Sequence, residues 1–160
     1  MQFDDLELST SYIDDELSII ANGAATEPEL FPENADAAKK KVLVLEDDPT
    51  QLFLLTQHLE SIGLTVVEAK SIAEAKAALA EHAIQMAVLD VHLPDGSGLD
   101  LCARIDDSPS TAGMPIVVLS SVRQDDIVRQ TRRAGGCYFI SKPYDPNVLL
   151  AVIEKLISEY

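Results

Sequence analysis

Five short apolar runs alternate with helix-length segments over residues 41–160. The runs are Val42–Leu45, Leu64–Val67, Ile84–Leu89, Ile116–Leu119 and Tyr138–Ile140. Continuous apolar runs of this length are typical of strands that are buried on both faces, and helical crossovers between them favour parallel pairing. The pattern therefore predicts an α/β fold with five βα units in a doubly wound, five-stranded parallel sheet.

Composition and charge narrow the class of protein. A hydrophobic content of 47% supports a substantial core, while the net charge of −15 argues against direct binding to nucleic acid. No apolar run reaches the ~18 residues of a membrane span, and no signal peptide is recognisable. The two cysteines, Cys102 and Cys137, lack metal-like or paired spacing. We therefore expect both to be reduced and the chain to be cytoplasmic.

Residues 1–40 differ from the rest of the chain, because they hold ten acidic residues against two lysines. We predict that 1–40 is an acidic N-terminal extension with a linker, and that 41–160 is the folded domain. Within the extension, Ile13, Leu17 and Ile20 share one helical face, which favours a short helix at 11–21. Two alternatives stay open: a tail without stable structure, or a helix that docks on its own domain, a second copy or a partner.

Polar residues follow four of the apolar runs. Glu46 and Asp47 come after the first run, Asp90 after the third, Ser120 after the fourth and Lys142 after the fifth. Because the carboxyl ends of parallel strands share one edge of a sheet, these side chains should meet at a single site. Clustered carboxylates remain ionised together when a cation neutralises them, and Mg²⁺ prefers such oxygen ligands.

The same residues suggest a chemistry. Asp90 can act as a nucleophile that forms an acyl phosphate. The ammonium of Lys142 and the metal would stabilise charge on the transferred phosphoryl oxygens, and the Ser120 hydroxyl would bind one of them.

At these positions the chain resembles the receiver domains of two-component response regulators, the CheY-like superfamily with a flavodoxin-like fold. The resemblance covers residues 41–160 and rests on VLVLEDDP (42–49), AVLDVHLPDGSGLDLC (87–102), PIVVLSS (115–121) and AGGCYFISKPY (134–144). Each motif alone is weak, but all four in order, each closing a strand, are specific.

The resemblance implies a role for each matching residue. Asp90 corresponds to the phosphoacceptor, Asp47 to a direct metal ligand and Glu46 to a neighbour that acts through water. The backbone carbonyl of His92 corresponds to the third protein ligand of Mg²⁺. Ser120 corresponds to the switch hydroxyl and Phe139 to the aromatic switch residue. Lys142 corresponds to the lysine that binds the phosphoryl group.

The resemblance also implies a function: a Mg²⁺-dependent phosphorylation switch that is not an enzyme acting on a separate substrate, although it catalyses its own phosphorylation and dephosphorylation. The expected partners are a histidine kinase or histidine phosphotransfer protein and a downstream protein effector, without nucleic acid or membrane. A homodimer through the fourth helix, fifth strand and fifth helix is one option. The alternatives are a degenerate receiver that only binds proteins and a small aspartyl-phosphate phosphatase. The chain is either complete or a piece of a longer regulator.

Several other polar residues have simpler interpretations. We expect Asp48 and Asp95 to be solvated loop acids or helix caps, and His58 to be an ordinary surface histidine. The arginines Arg129, Arg132 and Arg133 form either a solvated basic face or a face for a partner.

Overall fold

The computed structural model describes residues 39–122, 125–135 and 138–160. The helix predicted at 11–21 lies outside the described residues, as does the extension apart from Lys39 and Lys40. The division of the chain at residue 40 therefore stays a prediction.

Five of the strands form a single parallel sheet, which confirms the predicted fold class. In chain order the strands are β1 (Lys41–Leu45), β2 (Thr65–Ala69), β3 (Met86–Asp90), β4 (His92–Leu93), β5 (Gly96–Ser97), β6 (Ile116–Ser120) and β7 (Tyr138–Ser141). The spatial order in the sheet is β2-β1-β3-β6-β7, so the chain reverses direction across the sheet between β1 and β3. Ligands of doubly wound sheets bind beyond the carboxyl ends of the strands at such a reversal.

In the described part of the chain, four helices connect successive strands of the sheet, and a fifth follows the last strand. They are α1 (Pro49–Ser61), α2 (Ile72–Glu81), α3 (Gly98–Asp107), α4 (Asp125–Arg133) and α5 (Pro146–Glu159). Asp48, Ser71 and Asp145 each accept a backbone N–H of the first turn at α1, α2 and α5. Asp48 is thus one of the helix caps that the sequence predicts, since its side chain satisfies a donor without an intrahelical partner.

The sheet separates two hydrophobic cores. Leu43 and Leu45 of β1 face the core that includes residues of α2 and α3, whereas Val42 and Val44 face the core with α1 and α5. Because successive side chains of a strand point to opposite faces, each central strand contributes to both cores. This double burial explains the unbroken apolar runs.

Several strand ends differ from the sequence prediction. Strand β3 begins at Met86 and ends at Asp90, whereas the predicted run was Ile84–Leu89. Strand β2 begins and ends later than the predicted Leu64–Val67, because it pairs with β1 from Lys41↔Thr65 to Leu45↔Ala69. The small antiparallel hairpin of β4 and β5 was not predicted. Strands of two residues are too short to show any periodicity.

Among the described residues, none of the helices combines the length and apolar composition needed to cross a bilayer.

Candidate functional site

Three carboxylates converge at the carboxyl ends of β1 and β3. One oxygen each of Glu46, Asp47 and Asp90 lies within 4.8 Å of the others. Glu46 and Asp90 are buried, whereas Asp47 is exposed to solvent. The structure therefore brings together the three acids that the sequence singled out.

Lys142 completes this cluster from the end of β7. Its Nζ donates to Oε2 of Glu46 at 2.5 Å and lies 3.4 Å from Oδ2 of Asp90. The backbone N–H of Lys142 donates to the carbonyl of Ser120, which ties the end of β7 to the end of β6. The ammonium thus balances part of the negative charge of the acids.

Burial and pairing shift two pKa values in this cluster. Burial raises the pKa of Glu46, and hydrogen bonds from Lys142 and Asp48 oppose the rise only in part. Burial alone would lower the pKa of Lys142, but the hydrogen bond to Glu46 and the charge of Asp90 outweigh it and raise this pKa. Lys142 is therefore charged at neutral pH.

Glu46 also connects the cluster to α1. Its Oε1 accepts the backbone N–H of Asp48 at 3.1 Å, while Oδ1 of Asp48 accepts the N–H of Gln51 at 2.8 Å. Both oxygens of the Glu46 carboxylate are thus engaged, one by the start of α1 and one by Lys142. These two hydrogen bonds fix the position of the Glu46 side chain.

The loop after Asp90 is closed tightly. Val91 donates its N–H to the carbonyl of Leu119, and Gly98 donates to the carbonyl of Val91 at 2.8 Å. A Cβ atom at Gly98 would lie 1.9 Å from the carbonyl oxygen of Asp90, so this position has no room for a side chain. Glycine at position 98 is therefore a packing requirement.

Asp95 reaches from this loop to α2. Its two carboxylate oxygens accept the backbone N–H groups of Ile72 at 2.8 Å and Ala73 at 3.1 Å. The sequence predicted a loop acid or a cap, and the structure shows a cap. The sequence did not reveal that Asp95 caps α2, a helix that begins 23 residues before it in the chain.

The remaining residues of the predicted site lie around the cluster. Ser120 is fully buried, and its Oγ accepts the N–H of Val122 at 3.1 Å. His92 is exposed in β4, two residues beyond Asp90. Phe139 is partly buried and packs against the core that contains Leu43 and Leu45. The ligand role of the His92 carbonyl and the switch roles of Ser120 and Phe139 stay predictions.

An apolar groove of about 470 Å³ borders the cluster, and no sequence pattern indicated it. Its lining includes Leu54 and His58 of α1, together with Lys142, Pro143 and Tyr144. Nδ1 of His58 is buried without a hydrogen-bond partner among the described residues. The groove depends on α1 lying beside the segment after β7, and no local pattern predicts that proximity.

The donor set fits a hard divalent cation. Two buried carboxylates and one exposed carboxylate share a small space with the ammonium of Lys142. Oxygen ligands with an opening to solvent suit Mg²⁺, which retains several of its waters. The roles of Asp47 and Asp90 as direct ligands and of Glu46 as a ligand through water stay predictions.

Comparison with protein families agrees with this geometry. The family model of the response regulator receiver domain matches residues 42–154. The transcriptional regulatory protein GltR of Pseudomonas aeruginosa is 33% identical over 120 residues, which cover 74% of this chain and 49% of GltR. PdtaR, a transcriptional regulatory protein of Mycobacterium tuberculosis, is 31% identical over 129 residues, which cover 79% of this chain and 62% of PdtaR.

Solved structures give the same result. A CheY-like response regulator receiver domain protein from Methanospirillum hungatei JF-1 superposes with a TM-score of 0.70 at 28% identity. The match covers 76% of this chain and 96% of that one. The matched part of this chain thus spans nearly all of the Methanospirillum hungatei protein in that structure, but only about half the length of GltR.

Proposed function

Because the chain belongs to the response regulator receiver family of two-component signal transduction, we propose that it is a Mg²⁺-dependent switch phosphorylated on Asp90. A histidine kinase or a histidine phosphotransfer protein would donate the phosphoryl group, and a protein effector would read the result. The observation that carries the proposal is the meeting of Glu46, Asp47, Asp90 and Lys142 at one end of the sheet.

In the proposed reaction, a carboxylate oxygen of Asp90 attacks phosphorus. The new O–P bond forms as the P–N bond of the donor phosphohistidine breaks, and the electron pair of that bond goes to the imidazole nitrogen. Lys142, whose ammonium lies 3.4 Å from Asp90, is close enough to bind an oxygen of the transferred group. When bound, Mg²⁺ supplies positive charge that offsets the negative charge on those oxygens.

The reverse chemistry ends the signal. Water attacks the phosphorus of phospho-Asp90, the acyl O–P bond breaks, and the carboxylate and inorganic phosphate are released. Receiver domains are in general signalling modules rather than enzymes. We therefore assign this chain catalysis of its own phosphorylation and dephosphorylation only.

The apolar groove supports a helical phosphodonor. From Pro49 to Leu59, α1 has no acidic residue, lysine or arginine, and Phe53 and Leu54 are 61% and 48% exposed. An apolar helix of a donor protein would bury these side chains, and the groove would bring its phosphohistidine beside Lys142. Apolar contacts suit a chain of net charge −15, because they do not depend on an oppositely charged partner.

A second face suits the effector. Arg129, Arg132 and Arg133 of α4 are exposed, and only Arg129 makes an ion pair with a described residue, Asp126 at 3.9 Å. We propose that Ser120 and Phe139 relay phosphorylation to the face formed by α4, β7 and α5. This face would bind an acidic surface of the effector, or of a second copy in a homodimer.

Two other functions have less support. A degenerate receiver that only binds proteins would lack one of the site residues, and all of them are present here. A small aspartyl-phosphate phosphatase needs a second acid two residues after its nucleophile, where this chain has His92. The cytoplasm remains the expected location, since neither Cys102 nor Cys137 has the spacing of a disulfide partner.

The metal site predicts a localised response to Mg²⁺. Titration of the unphosphorylated protein, followed by amide NMR shifts, should perturb residues 46–48 and 90–92 first, because the cation binds the acids at these strand ends. The Asp47→Asn variant should weaken the response strongly. Asp48→Asn should keep it, since an asparagine side chain is as good a cap for α1 as an aspartate. Shifts confined to other residues would reject the site.

The switch predicts a response at a distance. Beryllofluoride with Mg²⁺ mimics an acyl phosphate, and its binding at Asp90 should draw Ser120 toward the bound group. Amide shifts should then change in residues 125–135 and 138–144 as well as in the site. The Asp90→Asn variant is the control and should show neither set of changes. If the changes stop at the acidic cluster, the relay through Ser120 and Phe139 is wrong.

A further inference from the structure

Helix α2 is capped by two different segments of the chain. Ser71, its own N-cap, accepts the N–H of Glu74 at 3.2 Å. Asp95, from the loop after the phosphoacceptor, accepts the N–H groups of Ile72 and Ala73. The first N–H groups of a helix have no intrahelical acceptors, so a carboxylate that binds two of them is held firmly. Asp95 therefore fastens its loop to α2.

The hydrogen bonds favour the charged form of Asp95. The N–H groups of Ile72 and Ala73 hold the pKa of this carboxyl below its ordinary value, and the charge of Lys76 adds to the effect. The contact is therefore present throughout the neutral range of pH.

Within the described structure, backbone hydrogen bonds hold the two ends of this loop, at Val91 and Gly98, whereas Asp95 holds its middle. Asp95 lies between the two short strands of the hairpin, whose ladder consists of His92↔Ser97 and Leu93↔Gly96. Leu93 is partly buried and packs against the core that includes Ile72. Hairpins this short are marginal by themselves, so the contact of Asp95 with α2 is a major restraint on the loop.

From this arrangement we infer that Asp95 is a positioning residue for the metal site. The inference rests on the proposed function, in which the His92 carbonyl is a ligand. By holding the loop against α2, Asp95 keeps residue 92 in place before the cation arrives. A loop that is already ordered does not lose conformational freedom on binding, so affinity is higher than it would be with a loose loop.

The test compares Mg²⁺ affinity, measured from amide shifts, in the wild type and in two variants of Asp95. Residues that hold a metal ligand in place typically contribute roughly 10–100-fold to affinity, so Asp95→Ala should bind Mg²⁺ about tenfold more weakly. Asp95→Asn retains one acceptor oxygen and should fall between Asp95→Ala and the wild type. If Asp95→Ala fails to fold, the Mg²⁺ affinity of Asp95→Asn is compared with that of the wild type instead.

Two controls distinguish positioning of the loop from two simpler effects, the loss of a helix cap and the loss of a negative charge. Ser71→Ala removes a cap of α2 without touching the loop, and Asp100→Asn removes an exposed carboxylate from the first turn of α3. Both should bind Mg²⁺ within about twofold of the wild type, because neither side chain makes a hydrogen bond to the described residues of the loop that carries residue 92. A second readout needs no metal: hydrogen exchange at the Gly98 amide should speed up in Asp95→Ala and stay unchanged in Ser71→Ala.

The outcomes are distinct. Weaker binding and faster exchange in the Asp95 variants alone support the inference. Wild-type affinity in Asp95→Asn and Asp95→Ala, or equal weakening in Ser71→Ala, overturns it while leaving the proposed function intact. A wild-type protein without Mg²⁺-induced shifts at residues 46–48 and 90–92 overturns both.

Discussion

The Asp90→Asn variant should gain no phosphoryl group from acetyl phosphate and Mg²⁺, whereas the wild type gains one. The amide of asparagine is not an anionic nucleophile, so the acyl phosphate cannot form, and the labelling rate should fall by at least about 100-fold. Intact-protein mass spectrometry measures the gain directly. Because asparagine has nearly the shape of aspartate and the buried Asp90 lies beside other acids, loss of its charge should leave the fold in place.

The matched control is Asp48→Asn, which changes a carboxylate close in sequence to the same cluster. Asparagine at this position can still cap α1, and Asp48 is not one of the three clustered acids, so labelling should remain near the wild-type rate. Equal labelling of wild type and Asp90→Asn would reject Asp90 as the phosphoacceptor. Asp47 would then be the next candidate for the nucleophile.

The Gly98→Ala variant should be strongly destabilised. Its Cβ would lie 1.9 Å from the carbonyl oxygen and 2.9 Å from the carbonyl carbon of Asp90, which no backbone atom can accommodate without moving. Overpacking of a core costs up to about 3 kcal/mol in the free energy of unfolding, and a clash with backbone should reach that limit. Chemical denaturation measures the loss. The displaced Asp90 should also be labelled more slowly.

Gly63→Ala separates this clash from backbone strain. Gly63 has φ of 85°, but a Cβ there meets nothing within 4 Å. Its replacement should therefore cost only the left-handed conformation, about 1–2 kcal/mol, and leave labelling unchanged. If Gly98→Ala is as stable as Gly63→Ala and is labelled normally, the close packing of Gly98 on Asp90 does not hold in solution.

The parts of the fold that depend on local pattern were predictable from the sequence. The apolar run Val42–Leu45 predicted a doubly buried strand, and the structure contains it. The convergence of Asp47, Asp90 and Lys142 followed from parallel pairing alone, since each residue closes or follows a strand. Strand topology was therefore enough to predict which of these side chains meet.

Features that depend on contacts between distant segments were not predictable. The groove needs α1 beside Tyr144, and the tie from Asp95 to α2 needs a loop and a helix that are 22 or 23 residues apart. The need for glycine at position 98 arises from the backbone of Asp90, which no periodicity reveals. Such features are set by tertiary packing, which a local sequence pattern does not encode.

The burial of the central strands on both faces of the sheet has a consequence for how the domain unfolds. Leu43 and Val44 are neighbours in β1 but belong to different cores. Because the same strand supplies both cores, displacing β1 to open one core would also disrupt the other. We expect residues 41–160 to unfold in one cooperative transition. The groove that would receive a donor and the acids that would receive phosphate should then melt together. A destabilising change on either side of the sheet would reduce the amount of competent protein without selectively damaging one activity.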